Sequence, residues 1–232
     1  MKNLFFKGMK DGIPIALGYL SVSFGFGILC INLGLSAATA VVISLTNMTS
    51  AGQVAGVGII ASGGALIEMV LAQVVINIRY SLFAISLSQK LDACFTTPHR
   101  ILASFGITDE IFAVAYAQEG KVKPWYMYGL ILISALGWGS GTFLGAVVGQ
   151  ILPDSLSDAL GIMLYGMFAA IVIPSAKTER GVMTAAIIAS ICSVLFAYVF
   201  TAVSGGFAVI CSAVVAAAIC ALLFPVKEEE DA

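Results

Sequence analysis

Apolar stretches long enough to cross a lipid bilayer follow one another along almost the whole chain. A spanning α-helix needs about 20 mostly apolar residues, and about eight stretches approach or exceed that length. They are Gly12–Asn32, Ser36–Ser62, Gly64–Ser88, Ile101–Ala117, Trp125–Leu152, Leu156–Pro174, Gly181–Val203 and Gly206–Phe224. The gaps between them are short. We therefore expect an all-α, polytopic transmembrane helix bundle that forms a single domain over residues 1–232.

Charge is too scarce for a protein surrounded by water. Charged residues make up 10% of the chain and hydrophobic residues 60%, with a mean hydropathy of +1.04, whereas a soluble domain is about 25% charged. A chain of 232 residues folded in water would leave much of this apolar surface exposed. The charges gather in a basic leader (residues 1–11), a charged tail (residues 226–232) and the short gaps. The net charge of −2 and the lack of a basic patch give no indication of nucleic-acid binding.

Two of the apolar segments are interrupted by polar residues. Ser36–Ser62 contains the polar run Thr46–Gln53, and Ile101–Ala117 contains two adjacent acids, Asp109 and Glu110. Irregular backbone at membrane depth is tolerated only where it faces protein or a water-filled cavity. We therefore expect these two segments to be broken or re-entrant.

The distribution of Lys and Arg supports that interpretation. Loops rich in these residues stay on the cytoplasmic side, and the leader holds Lys2, Lys7 and Lys10. If all eight segments crossed, the basic gap Lys90–Arg100 would lie outside, against the rule. If the two interrupted segments are re-entrant, every basic gap and both termini lie inside. The sequence thus favours about six full crossings and two partial ones, with a cytoplasmic N-terminus.

A faint internal repeat links the first and fifth segments. Residues 16–21 read Ala-Leu-Gly-Tyr-x-Ser, and residues 135–140 read Ala-Leu-Gly-Trp-x-Ser. Further along, residues 80–84 and 165–169 share the pattern Tyr-x-x-Phe-Ala, at a different offset that requires an insertion in the first half. Many secondary transporters consist of duplicated halves. The alternative is chance similarity between apolar helices.

The third segment carries a polar stripe. If it is one helix, then Gln73, Asn77 and Tyr80 share a face, because they are spaced i, i+4, i+7. Polar residues in a spanning helix face the bundle interior or water. The stripe indicates either a substrate path or hydrogen bonds that hold helices together.

Ionisable residues in or beside the apolar segments have two interpretations each. Glu68 is a candidate proton carrier, or a carboxylate at the membrane edge. Arg79 either clamps a substrate carboxylate or pairs with Asp109 or Glu110. The candidates for proton coupling or ion pairing are therefore Glu68, Asp109 and Glu110.

The run Thr46–Gln53 is the best candidate binding site, because an unwound stretch offers backbone groups and half-helix ends to a ligand. Its polar side chains are combined with those of the first and third segments in one candidate set. The candidate substrate-binding residues are Tyr19, Ser23, Thr46, Asn47, Thr49, Ser50, Gln53, Gln73, Asn77, Arg79 and Tyr80.

Several other kinds of chemistry are disfavoured. The five cysteines form no C-x-x-C pair and His99 is the sole histidine, so we expect no metal site and no cofactor. An intramembrane serine protease would need Ser140 and His99 together, yet His99 lies in a charged loop; we expect no enzyme. A passive assembly subunit or a channel remains an alternative, although charges inside a membrane domain are usually functional.

Four motifs together resemble the AzlC family, the large subunits of two-component branched-chain amino acid exporters. They are Gly12-Ile13-Pro14 through Phe24-Gly25, Thr49-x-Ala51-Gly52-Gln53, Ile76-Asn77-Ile78-Arg79-Tyr80 and Thr108-Asp109-Glu110-x-Phe112-Ala113. The resemblance covers nearly the whole chain.

This resemblance implies a prokaryotic cytoplasmic-membrane exporter of branched-chain or related neutral L-amino acids. It also implies a small hydrophobic AzlD-like partner with about four helices. Some members carry the label of ABC permeases, but the chain has no G-x-x-x-x-G-K-[ST] motif of a nucleotide-binding domain. An ion gradient, with protons as the expected coupling ion, is the energy source that we expect.

Overall fold

The computed structural model describes residues 2–153, 155, 166, 169 and 172–224, and these residues are almost entirely helical. The named helices are α1 (Lys2–Asn32), α2 (Ala37–Thr46), α3 (Ala51–Ala61), α4 (Leu66–Asn77), α5 (Arg79–Ser88), α6 (Thr97–Ser104), α7 (Asp109–Ala117), α8 (Pro124–Gly149), α9 (Arg180–Tyr198) and α10 (Gly205–Leu223). Residues 172–178 are also helical. The expected all-α architecture is confirmed.

Four helices in the described part of the chain are long and apolar enough to span a membrane. They are α1, α8, α9 and α10, and α4 with α5 meets the same requirement when the two are taken as one span. These five agree with five of the six full crossings that the sequence predicts. The sixth, Leu156–Pro174, lies almost wholly outside the described residues.

Both of the breaks that the sequence predicts are present. In Ser36–Ser62 the helix stops after Thr46 and restarts at Ala51, which leaves two helices too short to span alone. In Ile101–Ala117 the chain leaves the helix after Ser104 and restarts at Asp109. The first break lies within the polar run Thr46–Gln53, and the second lies immediately before Asp109 and Glu110, which occupy the first turn of α7.

The third segment is broken as well, and here the expectation of one continuous helix is wrong. α4 ends at Asn77 and α5 begins at Arg79, with Ile78 between them. Because the helix does not run through, Tyr80 does not continue the face that Gln73 and Asn77 share on α4. The polar stripe is thus divided between two helices.

By its internal contacts the chain divides into two compact units. The first comprises residues 1–57 and 77–164, and the second comprises residues 58–76 and 165–232. The expectation of a single domain remains a prediction.

The first unit is built on close packing between α1 and α8. A Cβ atom added at Gly8 would overlap the backbone of Tyr126, and one at Gly145 would overlap the backbone of Phe24. Glycine is required at such positions because the two backbones approach each other, as is common between membrane helices. Residue numbers rise together along the contact, from Gly8 beside Tyr126 to Phe24 beside Gly145, so α1 and α8 run parallel.

The register of this pair matches the repeat in the sequence. Aligning the two Ala-Leu-Gly-aromatic motifs places Tyr19 opposite Trp138, and these rings contact edge to face with centroids 5.0 Å apart. Repeats related by an axis along the membrane normal would place equivalent helices parallel in this way. The packing supports a duplication. Within the second motif copy at 165–169, the structure describes Gly166 and Ala169.

The basic loops of the first unit lie at one end of it, which we call the basic end. Lys7 Nζ at the start of α1 donates to Gln118 Oε1 at 3.1 Å. Lys121 Nζ donates to the Gln89 carbonyl at 2.9 Å, and a β-bridge joins Leu91 to Val122. The start of α1, the loop before α8 and the loop after α5 therefore share an end. This excludes eight full crossings, in which the loop after α5 would lie opposite the N-terminus.

In the second unit α9 packs against α10. No residue of α9 is buried, although the helix is strongly apolar. Exposed apolar surface of this extent requires lipid or another protein as its surroundings.

Candidate functional site

A chain of three polar side chains joins α1 to the start of α7. Tyr19 is 6% exposed; its hydroxyl lies 2.5 Å from Thr108 Oγ1 and donates to Glu110 Oε2 at 2.6 Å. Because the phenol has one proton, donation to Glu110 leaves its oxygen to accept from Thr108. The order Thr108, Tyr19, Glu110 is thus a continuous line of donors that ends on a carboxylate.

Local chemistry explains why these groups meet. Thr108 caps α7, since its Oγ1 accepts from the Ile111 N–H at 3.3 Å, and a threonine in this position satisfies a backbone donor that the helix leaves unpaired. The two acids that follow occupy the first turn, where the helix dipole stabilises negative charge. Ending α6 before Thr108 and starting α7 after it is what brings Glu110 to Tyr19.

Arg79 pairs with Asp109, as one of its two interpretations anticipates. The nitrogen–oxygen distance is 3.0 Å, and the side chains are 44% and 41% exposed. Arg79 Nη2 also donates to the Tyr80 hydroxyl at 3.2 Å. Below this pair the rings of Phe83 and Phe112 stack with centroids 4.7 Å apart. The pair and the stack together hold α5 against α7.

The break between α2 and α3 places strained backbone inside the first unit. Thr46 Oγ1 donates back to the Val42 carbonyl at 2.7 Å, so this side chain is occupied within α2. Asn47 leaves the helix with φ −149°. Ser50 has φ 51°, a left-handed conformation that costs a non-glycine residue about 1–3 kcal/mol and is commonest at functional sites.

Gln53 lies one turn beyond this break and is 1% exposed. Its Nε2 donates to Ser44 Oγ at 3.2 Å, and Ser44 Oγ lies 2.6 Å from Thr142 Oγ1 on α8. Thr142 is four residues after Trp138, so the two share a face of α8. The hydrogen bonds at Gln53 thereby reach the face of α8 that also carries Trp138, whose ring contacts Tyr19.

These contacts form one line through the first unit, which we call the polar seam. It consists of Thr108, Tyr19, Trp138, Thr142, Ser44 and Gln53. Three of its groups or neighbours are buried and have no hydrogen-bond partner among the described residues: Gln53 Oε1, Trp138 Nε1 and Thr49 Oγ1. Buried polar groups are nearly always bonded. Among the described residues these groups thus lack a protein partner, and a polar ligand is one kind of molecule that could satisfy them.

Apolar side chains belong to the same core as two members of the seam. Ile15 and Met48 are 8% and 6% exposed and belong to the same apolar cluster as Tyr19 and Trp138. A ligand bound here would have polar contacts on one side and aliphatic contacts on the other. This combination suits a small molecule with a charged head and an apolar tail.

Glu68 and Gln73 belong to the second unit. Glu68 is 3% exposed, and its Oε1 accepts from Ser204 Oγ at 2.6 Å and from the Gly206 N–H at 2.8 Å. It thus caps the N-terminus of α10, where the helix dipole favours a negative charge. Gln73 Nε2 lies 3.9 Å from Met69 Sδ.

The structure thus brings some candidate residues together and leaves others apart. Tyr19 and Gln53 lie on the polar seam, while Ser23 lies beside it and donates to the Tyr19 carbonyl at 2.7 Å. Thr46 faces outward, and Arg79 is engaged with Asp109. Asn47, Ser50, Asn77 and Tyr80 are partly buried in the first unit.

Sequence reasoning missed four members of the seam: Ser44, Thr108, Trp138 and Thr142. Thr108 had a signal, because a threonine before two acids is typical of a helix N-cap. Trp138 had one in the repeat, since it matches Tyr19. Ser44 and Thr142 lie within apolar helices, where a single hydroxyl gives no pattern.

The comparisons with known proteins agree on one family. The sequence profile described as "AzlC protein" matches residues 14–152, which contain every member of the polar seam. A protein of Archaeoglobus fulgidus called "Uncharacterized membrane protein" is 31% identical over 75% of this chain and 77% of its own length. No solved structure matches.

Two further relatives have more specific names. "Inner membrane protein YgaZ" of Escherichia coli is 29% identical over 87% of this chain and 86% of its own length. "Branched-chain amino acid transport protein AzlC" of Bacillus subtilis is 23% identical over 72% of this chain and 66% of its own length. Together with the apolar helices, these names support a role in membrane transport in general. The chain is a polytopic membrane protein and belongs to the AzlC family.

Proposed function

We propose that this protein is the transporting subunit of a proton-coupled exporter of branched-chain or related neutral L-amino acids. The observation that supports the proposal is the polar seam, in which the buried Gln53 Oε1 and Trp138 Nε1 have no hydrogen-bond partner among the described residues. An amino acid has an ammonium group for the acceptor and a carboxylate for the donors. Ile15 and Met48 provide contacts for an aliphatic side chain.

The test is counterflow of labelled leucine and valine in liposomes that contain the purified chain. We expect Gln53→Ala to reduce valine counterflow at least tenfold, because it removes the unpartnered acceptor and the bond to Ser44. We expect a loss also for Asn77→Ala, at the break between α4 and α5. The matched control is Gln150→Ala, an exposed amide at the end of α8. Normal counterflow in both Gln53→Ala and Asn77→Ala would contradict the site.

Among the three acids, Glu110 is the best candidate for the proton carrier. Asp109 already has a cationic partner in Arg79, and Glu68 accepts from the backbone at the N-terminus of α10, so each carboxylate has a structural partner of its own. Glu110 accepts a hydrogen bond from the Tyr19 hydroxyl, which connects it to the seam. Unlike Arg79, this partner carries no positive charge. Binding at the seam and proton uptake at Glu110 would therefore share one side chain, Tyr19.

Coupling is tested by separating exchange from gradient-driven transport. We expect Glu110→Gln to retain leucine counterflow, which needs no net proton movement, and to lose accumulation driven by a pH gradient. Glu68→Gln is the control, because the amide oxygen keeps both hydrogen bonds that Oε1 accepts. Accumulation that persists in Glu110→Gln and fails in Glu68→Gln would reverse the assignment.

Orientation and partner complete the proposal. The basic end gathers the leader and the lysine-bearing loops, and the positive-inside rule assigns such an end to the cytoplasm. The uncovered apolar surface of α9 gives room for a small hydrophobic, AzlD-like subunit beside lipid. Comparing counterflow by the chain alone and with such a subunit shows whether this protein transports without it.

A further inference from the structure

An apolar cavity lies in the first unit, and neither Gln53 nor Trp138 lines it. Its volume is about 120 Å³, and its lining includes Leu87 of α5, Phe95, Ala103 of α6, Ile107 and Met127 of α8. Leu87, Phe95, Ala103 and Met127 are at most 4% exposed. These four lining residues are therefore part of the packed core, whereas Ser88, Arg100 and Ser104, which also line the cavity, are exposed.

One charged side chain lines this cavity: Arg100, from α6. Its Nε donates to the Phe95 carbonyl at 3.2 Å, which fixes the guanidinium beside the apolar walls. Among the described residues, no acceptor is hydrogen-bonded to Nη1 or Nη2 of Arg100. These two nitrogens can hold a carboxylate in bidentate fashion. The cavity thus combines an aliphatic interior with a cationic group.

The volume decides what size of apolar group fits. An apolar cavity of about 150 Å³ takes up a benzene molecule, and complete ligand pockets begin near 300 Å³. A cavity of about 120 Å³ therefore holds a side chain of roughly four carbons, with the rest of the ligand outside. A branched aliphatic side chain matches that limit, whereas a long acyl chain exceeds it.

The position of the cavity connects it to the seam. Leu91, in its lining, is bridged to Val122 at the basic end. Ile107, also in its lining, directly precedes Thr108, which bonds Tyr19. A ligand in the cavity would be separated from the seam by the break between α6 and α7.

We propose that this cavity is a docking site at the basic end for neutral amino acids, with the branched aliphatic side chain inside it and the carboxylate on Arg100. This inference rests on the proposed function, since it makes the cavity a binding site that the substrate occupies before it is transported. Glycine, which has no side chain to fill the cavity, binds at least tenfold more weakly than leucine.

Protection of a thiol against maleimide tests the site in the purified full chain. Ser104 lines the cavity and is exposed, so we choose Ser104→Cys. Native Cys94 is exposed at the same end and outside the lining, and it serves as the internal control when mass spectrometry reads each site separately. We expect leucine to slow labelling at position 104 at least fivefold, glycine to have little effect, and Cys94 to be unaffected.

Arg100 is tested in the same assay. Arg100→Gln should raise the leucine concentration needed for protection at least tenfold, and Arg100→Lys should restore part of the loss. If Arg100→Gln does not fold, the contrast between leucine and glycine in the protein with native Arg100 still decides. Equal protection by the two amino acids, or equal protection of Cys94, overturns the proposal.

Two further arms separate this inference from neighbouring ideas. If vesicles of phosphatidylglycerol protect position 104, and leucine adds nothing in phosphatidylcholine, the occupant is a lipid and the proposal fails. If wild-type counterflow is normal without any protection, the cavity fails and the transport function stands. If leucine protects position 104 and counterflow is absent, the transport function fails and leucine binding at the cavity stands.

Discussion

Single hydroxyl and amide groups connect the helices of the first unit along the polar seam. Tyr19 illustrates this, because its ring fixes the contact with Trp138 and its oxygen links Thr108 to Glu110. Removing one partner of a buried hydrogen bond leaves the others unsatisfied, at a cost of about 1–3 kcal/mol. The contribution of such a residue to stability therefore depends on which groups surround it, and the residue type alone does not reveal those groups.

Tyr19→Phe keeps the ring and removes the link to Glu110. We expect a loss of stability of about 1–2 kcal/mol and a fall in pH-driven accumulation of at least tenfold. Thermal unfolding in detergent and transport in liposomes measure the two effects. Tyr198→Phe is the control, because Tyr198 is 81% exposed; matching results for the two variants would contradict the role of Tyr19.

The loop after α5 offers a residue-scale test outside the membrane segments. Asp92 accepts a hydrogen bond from the Cys94 N–H at 3.0 Å, and hydrogen bonds from the Cys94 side chain and backbone lower the pKa of the Asp92 carboxyl. The same carboxylate, accepting from the thiol, raises the pKa of Cys94. A higher pKa means less thiolate at neutral pH.

Asp92→Asn should therefore lower the pKa of Cys94 and speed its alkylation at pH 7 by about threefold. The difference should vanish near pH 11, where the thiol is ionised in both proteins. Rates of maleimide or iodoacetamide labelling across pH measure this. A slower reaction in Asp92→Asn at pH 7 would show that the carboxylate does not hold the thiol proton.

At the scale of helices, backbone contact between α1 and α8 organises the first unit. Gly137 meets the backbone of Ala16, and Gly141 meets that of Leu20. In contrast, Gly18 of α1 has nothing within 4 Å of an added Cβ. Glycines of this helix pair therefore differ in role according to whether they lie on the contact face.

Gly137→Ala should destabilise the protein by about 1–3 kcal/mol, since overpacking forces the two backbones apart. Gly18→Ala should leave stability unchanged or raise it by up to about 1 kcal/mol, because alanine is the better helix former. Thermal unfolding of both variants in the same detergent provides the comparison. Equal destabilisation would show that α1 and α8 do not approach as closely as described.

At the scale of the whole chain, the short broken helices explain how the basic loops can lie on the same side of the membrane. Each of the four helices α2, α3, α6 and α7 is too short to span the membrane alone. The break between α2 and α3 and the break between α6 and α7 both contain polar residues. The loop after α5 then shares an end with the N-terminus, as the hydrogen bonds of Lys7 and Lys121 show. Six full crossings and two partial ones satisfy both observations.

Accessibility to a membrane-impermeant maleimide tests this arrangement. Native Cys94 and an Asn3→Cys thiol should be labelled from the same side, in inside-out vesicles and not in intact cells. Thr201→Cys, between α9 and α10, should show the opposite pattern. Labelling of Cys94 from the side opposite to Asn3→Cys would contradict the shared end and restore eight crossings.

The sequence by itself determined the class of the protein and the places where its helices fail. Apolar length specifies spanning helices, and polar runs such as Thr46–Gln53 and the acids at Asp109 and Glu110 mark breaks, because lipid offers no partner for exposed backbone. The break at Ile78 has no comparable mark, since its residues are compatible with a continuous helix. Pairing between Arg79 and Asp109 was one of two options that charge alone left open.

Only the tertiary structure decided which polar groups meet. Tyr19 and Gln53 are separated by 33 other residues in the sequence, and the seam between them passes through Trp138, Thr142 and Ser44, which lie on helices with no periodic polar signal. Glu68 likewise turned out to cap α10, a contact made across the sequence. Hydrogen bonds act over about 3 Å, so they depend on the packing of helices distant in the chain, which hydropathy does not encode.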